Sequence, residues 1–398
     1  MTRKIQETIT KAKKYIDNLT VHSDKNIPHE VVCNEQAFFT WDKECRTPSQ
    51  HPYLFNWSYY NGVIMEGMYG AYKADSKNHA TYPAYIKEYL DAMIDTKEDG
   101  HKVLSLTRAG YVDHHGGDCY KTAALMLLLA DENPYYAQIC DELYRDLTSS
   151  THVNSKGNIV ARDFCEEAMG YNYWHCWASG KQPKYTVWLD GLYMMQPFIT
   201  RYAAKHGDAA QLALVQERFN WVAKELLAPN GLYYHAGNSA EDVCNFFWLR
   251  AIGWYGMAMV DVMEYLPEGY LEERKAALKT YVDGMLKYQH ESGMWANLVD
   301  QPVTDANRLE TSGTAMVIYT ILKAVRNGWL EESYKEAGIK AFIAMTEMKL
   351  DENGLHDIYL VASASGANNY ELIERYKTNE GKGSGPFIMA YSEMAYMI

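Results

Sequence analysis

This chain has no long apolar run, no basic block and no paired cysteines, and each lack removes a class of function. The longest apolar stretch, residues 123–130, is far too short to span a bilayer. Nothing basic offsets a net charge of −13, which argues against nucleic acid or an anionic membrane as a general partner; a small anion at a local Arg or His stays compatible. The seven cysteines, Cys33, Cys45, Cys119, Cys140, Cys165, Cys176 and Cys244, contain no C-x-x-C pair, so neither a zinc site nor a disulfide framework is suggested. Reduced thiols, with no apolar core in residues 1–19, lead us to expect a cytoplasmic protein without a signal peptide in the sequence given, a periplasmic one being the alternative if a leader has been removed. No Pro/Gly/Ser linker divides residues 1–398, so a single domain is expected, and no metal or cofactor.

What is present is apolar, aromatic and periodic. Hydrophobic residues make up 47% of the 398, enough for a large core. The 33 Tyr and 10 Trp fit either an aromatic-rich core or a cleft that grips ring-shaped ligands such as sugars. Apolar residues at three-to-four spacing predict about twelve helices, beginning near Ile5, Trp57, Tyr82, Gly117, Tyr135, Asp190, Asp208, Asn245, Tyr270, Leu309, Glu331 and Gly385. Alternation is brief, over residues 158–162, 231–235 and 355–361, and predicts short strands or loops.

The helices alternate in character. Those near Tyr82, Tyr135, Asp208, Tyr270 and Glu331 carry Lys and Glu along one side and read as outer helices with a solvated face. The others are apolar all round, rich in Gly, Ala and Met, and read as buried. A polar, aromatic and glycine-rich cluster introduces each buried helix, at residues 56–62, 113–119, 188–191, 248–254, 308–313 and 381–387. The clusters recur roughly every 55 to 75 residues, as a repeat architecture requires. Six outer and six inner helices predict an all-α fold, an (α/α)6 barrel with the inner amino termini converging on one open end. An open helical solenoid is the alternative.

Asp190 stands out within the run 187–198, between Trp188-Leu189 and Gly191, where an apolar helix begins. Asp suits a first turn, where backbone N–H groups and the helix dipole favour its charge, while apolar neighbours push its pKa the other way. An acid held between these opposing terms is poised for general acid/base work; a plain helix cap is the competing reading. Arg250 and Trp254 lie four apart on one helix face. There Arg250 could pair with a carboxylate, substrate or structural, and Trp254 could stack on a sugar ring. The glycines at 381–387 lack the strand and Lys-Ser/Thr of a phosphate loop, and close backbone packing is the simpler role.

Four motifs in order, W-L-D-G-L-Y-M-x-x-P-F at 188–198, R-x-x-G-W at 250–254, R-L-E-T-S-G-T-A-M at 308–316 and K-G-x-G-P-F at 382–387, resemble the unsaturated rhamnogalacturonyl hydrolases, glycoside hydrolase family 105. The resemblance runs from about Trp57 to the carboxyl terminus. It implies an (α/α)6 enzyme acting on pectin-lyase fragments that end in a 4,5-unsaturated galacturonyl residue linked to rhamnose. It also implies that Asp190 protonates C4 of the enol ether and takes a proton from water, which adds at C5; the hemiketal then opens and expels the remaining sugar. Because this is vinyl ether hydration, the spacing rule for two glycosidase carboxylates does not apply.

The same resemblance implies a second carboxylate at the start of the second inner helix, Asp118 or Asp113, with Asp118 favoured and a plain N-cap as the alternative. His235 matches a pocket histidine that could bond the substrate or the attacking water; a satisfied structural histidine beside aromatics is the alternative. Trp174 and His175 match a pair near the bound sugar, and Trp57, Trp188, Arg250 and Trp254 complete the expected binding set. The expected partner is an unsaturated uronyl oligosaccharide, the protein being a monomer or homodimer. The main rival is glycoside hydrolase family 88, with the same chemistry on unsaturated glucuronyl units. A sugar epimerase resting on His114 and His115, and a catalytically dead sugar-binding module, are the readings from other classes.

Overall fold

A computed structural model describes residues 3–21, 57, 59–104, 120–148, 187–359 and 376–397. Twelve α-helices lie within them. They are α1 (Arg3–Val21), α2 (Tyr59–Ala74), α3 (Tyr82–Ala92), α4 (Lys121–Leu128), α5 (Pro134–Leu147) and α6 (Leu189–His206), then α7 (Ala209–Glu225), α8 (Leu249–Met263), α9 (Glu268–Leu286), α10 (Thr311–Arg326), α11 (Lys335–Lys349) and α12 (Gly381–Ala395). No helix among the described residues is long and apolar enough to cross a membrane.

The even-numbered helices form a closed inner ring in which α2 packs on α4, α4 on α6, and so on to α12, which packs back on α2. This closure makes the molecule a six-hairpin α/α toroid and sets aside the open solenoid. Each odd-numbered helix from α3 to α11 packs outside the inner helix that precedes it, and α1 packs against α11 and α12. Composition explains the layering. All fifteen residues of α8 are buried, so it has no face for water. On α5 the residues Tyr136, Ile139, Cys140, Leu143, Tyr144 and Leu147 are buried at helical spacing, leaving a polar outer face. Tight turns keep the pairs antiparallel. Gly207, with φ of 70°, ends α6, and Asp208 immediately caps α7 by accepting from the Gln211 N–H at 3.0 Å.

Glycines let inner helices approach. A Cβ on Gly385 of α12 would sit 2.8 Å from Val63 Cγ1 and 3.0 Å from the Ile64 nitrogen on α2. The glycines of the last cluster therefore serve close packing. Buried charges cross the ring between inner helices. Glu66 of α2 pairs with Lys121 of α4 and, at 2.6 Å, with Arg201 of α6; Asp261 of α8 lies 2.8 Å from Lys323 of α10. Arg326 of α10 grips Glu393 of α12 with two hydrogen bonds of 2.6 and 2.9 Å. Burial pushes the Glu66 carboxyl up, but Arg201 and Lys121 pull it down to about 2.

Nine short strands lie among the described residues. The pairs β1 (Ile94–Thr96) with β2 (Lys102–Leu104), β6 (Leu350–Asp351) with β7 (Gly354–Leu355), and β8 (Ile358–Tyr359) with β9 (Tyr376–Lys377) are antiparallel. The sheet that matters for the site runs β3-β4-β5 (Val187–Trp188, Ala236–Ser239, Asp242–Cys244), with Val187 opposite Gly237 and Trp188 opposite Ala236. Where alternation predicted a strand or loop over 231–235, the chain is a loop bridged once, from Leu227 to Tyr233, and the strand begins at Ala236.

Candidate active site

The β3-β4 pairing assembles the site. Trp188 ends β3 and is the N-cap of α6, so Asp190 falls in the first helical turn. The Leu189 N–H donates to the His235 carbonyl at 3.1 Å, and the His235 N–H donates to the Phe246 carbonyl at 3.3 Å. These bonds bring the two side chains together, and His235 Nε2 lies 3.0 Å from Asp190 Oδ2. His235 is fully buried, whereas the Asp190 side chain is 25% exposed. The pair therefore has a dry member and a wet one.

Aromatic rings box the imidazole. Trp188 meets it edge-on at 4.6 Å, with Trp248 at 5.1 Å and Phe246 at 5.4 Å. His235 Nδ1 finds no hydrogen-bond partner among the described residues. The arrangement that leaves no donor orphaned puts the ring proton on Nε2, donated to Asp190. Asp190 is not the helix cap, because its carboxylate is bonded to His235 and the N-cap residue is Trp188.

Arg250 is buried in the first turn of α8. Its guanidinium lies 4.3 Å over the Trp248 ring, and Nη1 donates to the Tyr359 carbonyl and reaches Ser312 Oγ at 3.5 Å. Trp254, one turn on, is 1% exposed, and one face of its indole stacks on Tyr193 at 5.0 Å while Tyr59 meets it edge-on at 6.2 Å. Protein thus covers part of the surface expected to meet sugar. Lys121 Nζ sits 3.8 Å over the same Tyr193 ring, so the stack rests on the buried ion pairs. Trp57 is 1% exposed.

Asp118, Asp113, Trp174, His175, His114 and His115 lie outside the described residues. Of the expected set, the structure brings together Asp190, His235 and Trp188, with Arg250 reached through Trp248. Sequence reasoning passed over Trp248 and Asn297, whose Oδ1 accepts from Trp248 Nε1 at 3.0 Å. Trp248 carried a signal, since it precedes α8 as Trp188 precedes α6; Asn297 carried none. Among the described residues no three His, Cys, Asp or Glu side chains converge as metal ligands would.

An inner ring of six helices with an aspartate–histidine pair at the amino end of one of them defines a six-hairpin glycosidase-type toroid. The chain belongs to Glycosyl Hydrolase Family 88, whose family model matches residues 36–398. It is 29% identical over 224 residues to Protein Atu3128 of Agrobacterium fabrum, covering 50% of this chain and 96% of that protein. It is 26% identical over 220 residues to the unsaturated 3S-rhamnoglycuronyl hydrolase of an Alteromonas species, covering 52% of this chain and 50% of that enzyme. A solved family 105 glycoside hydrolase from C. acetobutylicum shares the fold with a TM-score of 0.75 at 24% identity, over 96% of this chain and 99% of that one.

Proposed function

We propose that the protein removes the 4,5-unsaturated galacturonyl residue from lyase-generated rhamnogalacturonan oligosaccharides by hydrating the C4=C5 double bond. The observation that carries the reading is the Asp190–His235 pair, which holds Oδ2 at 3.0 Å on a carboxylate that is 25% exposed. Oδ1 makes no hydrogen bond among the described residues and is the oxygen we assign to the reacting atoms. With Asp190 protonated, its proton goes to C4 and the enol ether becomes an oxocarbenium ion centred on C5. Water adds at C5 and returns a proton to Asp190, so the acid is regenerated. The hemiketal opens to a keto sugar and the alcohol of the remaining oligosaccharide leaves. His235 orients the carboxylate and steadies its charge between the two proton transfers.

The second reading is an unsaturated unit of glucuronyl origin, differently linked to a rhamnose-containing chain, with which the name of the Alteromonas relative is compatible because glycuronyl specifies no particular uronic acid. Elimination across C4–C5 erases the C4 stereocentre that distinguishes galacturonyl from glucuronyl, so the two readings differ in the linkage to rhamnose. The test follows the ultraviolet band of the conjugated double bond with the α-linked galacturonyl-derived and the β-linked glucuronyl-derived unsaturated disaccharides as parallel substrates. Wild type should bleach the galacturonyl band, and Asp190→Asn should lose about 10³-fold in kcat while remaining folded. Bleaching of the glucuronyl series alone moves the assignment to the second reading; an unchanged band in both removes the hydrolase reading.

A further inference from the structure

We infer that Asn297 is a positioning residue for the Asp190–His235 pair and acts through the indole of Trp248; the inference rests on the reading of Asp190 as the acid. Trp248 is 1% exposed and lies between two polar groups of the site, with its ring 5.1 Å from His235 and 4.3 Å from the Arg250 guanidinium. Neither contact fixes the rotation of the indole in its own plane. The Nε1–H bond to Asn297 Oδ1 does. Asn297 is itself clamped, because its N–H donates to the Arg308 carbonyl at 3.0 Å and its carbonyl accepts from the Leu249 N–H at 2.8 Å. The anchor thus belongs to the backbone that starts α8 and leads into α10.

The amide orientation is decided by the indole donor, since a flipped amide would set N–H against N–H. Nδ2 then has no hydrogen-bond partner among the described residues, although Asn297 is fully buried. A leucine would fill a similar volume without burying an orphaned donor. What the asparagine adds at that expense is one directed bond, on the ring that packs against the histidine holding the acid.

The experiment is a double-mutant cycle of Asn297→Leu and Trp248→Phe, which keeps an aromatic ring and deletes the donor. Loss of the anchor should lower kcat about ten- to a hundredfold with KM changed less than about twofold, because the acid is displaced rather than the sugar contacts removed. In the Trp248→Phe background Asn297→Leu should add nothing. Multiplicative effects, or a change in KM or melting temperature with kcat intact, overturn the inference. If Asn297→Leu does not fold, Trp248→Phe alone must show the kcat loss.

A readout independent of turnover is the NMR chemical shift of the His235 ring protons, which the Trp248 indole shields. It should move in both single variants, and unmoved ring signals overturn the positioning role whatever the activity. A wild type that bleaches no uronyl substrate while His235 still responds to Asn297→Leu would refute the hydrolase reading and leave the anchor standing.

Discussion

Replacing Glu66 with Gln should destabilise the toroid by an amount that depends on pH in a defined way. Glu66 joins α2 to Lys121 of α4 and Arg201 of α6, and its side chain is 6% exposed, so solvent screens these pairs little. Its carboxyl is held at about 2 against an ordinary 4.5, a difference worth about 3 kcal/mol of charge-linked stability. A lowered folded-state pKa places that stability above pH 4.5 and removes it as pH falls toward 2. The pKa of Lys121 is lowered too, because burial outweighs the attraction of Glu66, so its charged form is disfavoured where the charged form of Glu66 is favoured. Urea unfolding followed by circular dichroism should therefore show Glu66→Gln less stable than wild type by about 3 kcal/mol at pH 7, with the gap closing between pH 4.5 and 2. Adding Lys121→Met should recover part of the loss at pH 7, since it removes a buried charge left short of its partner. A gap that stays constant over the whole range, or a Glu66→Gln protein as stable as wild type, would refute the reasoning.

Glu310→Ala should cost about 3 kcal/mol in chemical denaturation, because Glu310 accepts from the Ser312 and Gly313 N–H groups, the Ser312 hydroxyl and the Tyr359 N–H, all buried. Gly385→Ala should lower stability by about 1–3 kcal/mol, since the added methyl meets Val63 and the Ile64 backbone, and thermal unfolding would register it. Asp357 has φ of 53°, which Asn tolerates, and burial of its carboxyl is outweighed by Lys349 and Arg308, which hold its pKa low. Asp357→Asn should therefore cost about 1 kcal/mol at neutral pH and progressively less as pH falls below 3.8.

The helices were legible because their signal is local. Amphipathic and all-apolar segments alternate, and each predicted start lies within four residues of the observed one, the widest offsets being at Lys121, Leu249, Lys335 and Gly381. The offset before α8 has a cause: Trp248 is extended and bridged to Leu298, which delays the first turn to Leu249. The small sheets were harder to read. Asp99-Gly100, with Gly100 at φ of 86°, marks the β1-β2 turn, but three-residue strands such as Ile94–Thr96 offer too few positions for alternation to register. The strand that places His235 pairs residues about fifty positions apart, Val187 with Gly237, and no local pattern encodes that partner. Asp190 and His235 were therefore singled out separately, on chemistry and resemblance, while their contact came from the sheet.

The inner helices also explain which carboxylate is available for chemistry. Helices α10 and α12 start from Glu310 and Glu380, whose side chains cap their own backbone N–H groups. Glu310 spends both oxygens on four donors and is fully buried, so it has neither a free lone pair aimed outward nor contact with water. Helices α6 and α8 instead start from Trp188 and Trp248, which make no side-chain cap. On these two the polar residue comes at the second helical position, Asp190 and Arg250, so each side chain leaves its own helix end and takes partners from elsewhere. Similar Trp-Leu-Asp and Arg-Leu-Glu triplets thus reach opposite outcomes: where glutamate is the cap it becomes structure, and where tryptophan is the cap the acid two residues later is left, among the described residues, with one histidine bond and a solvent-facing side.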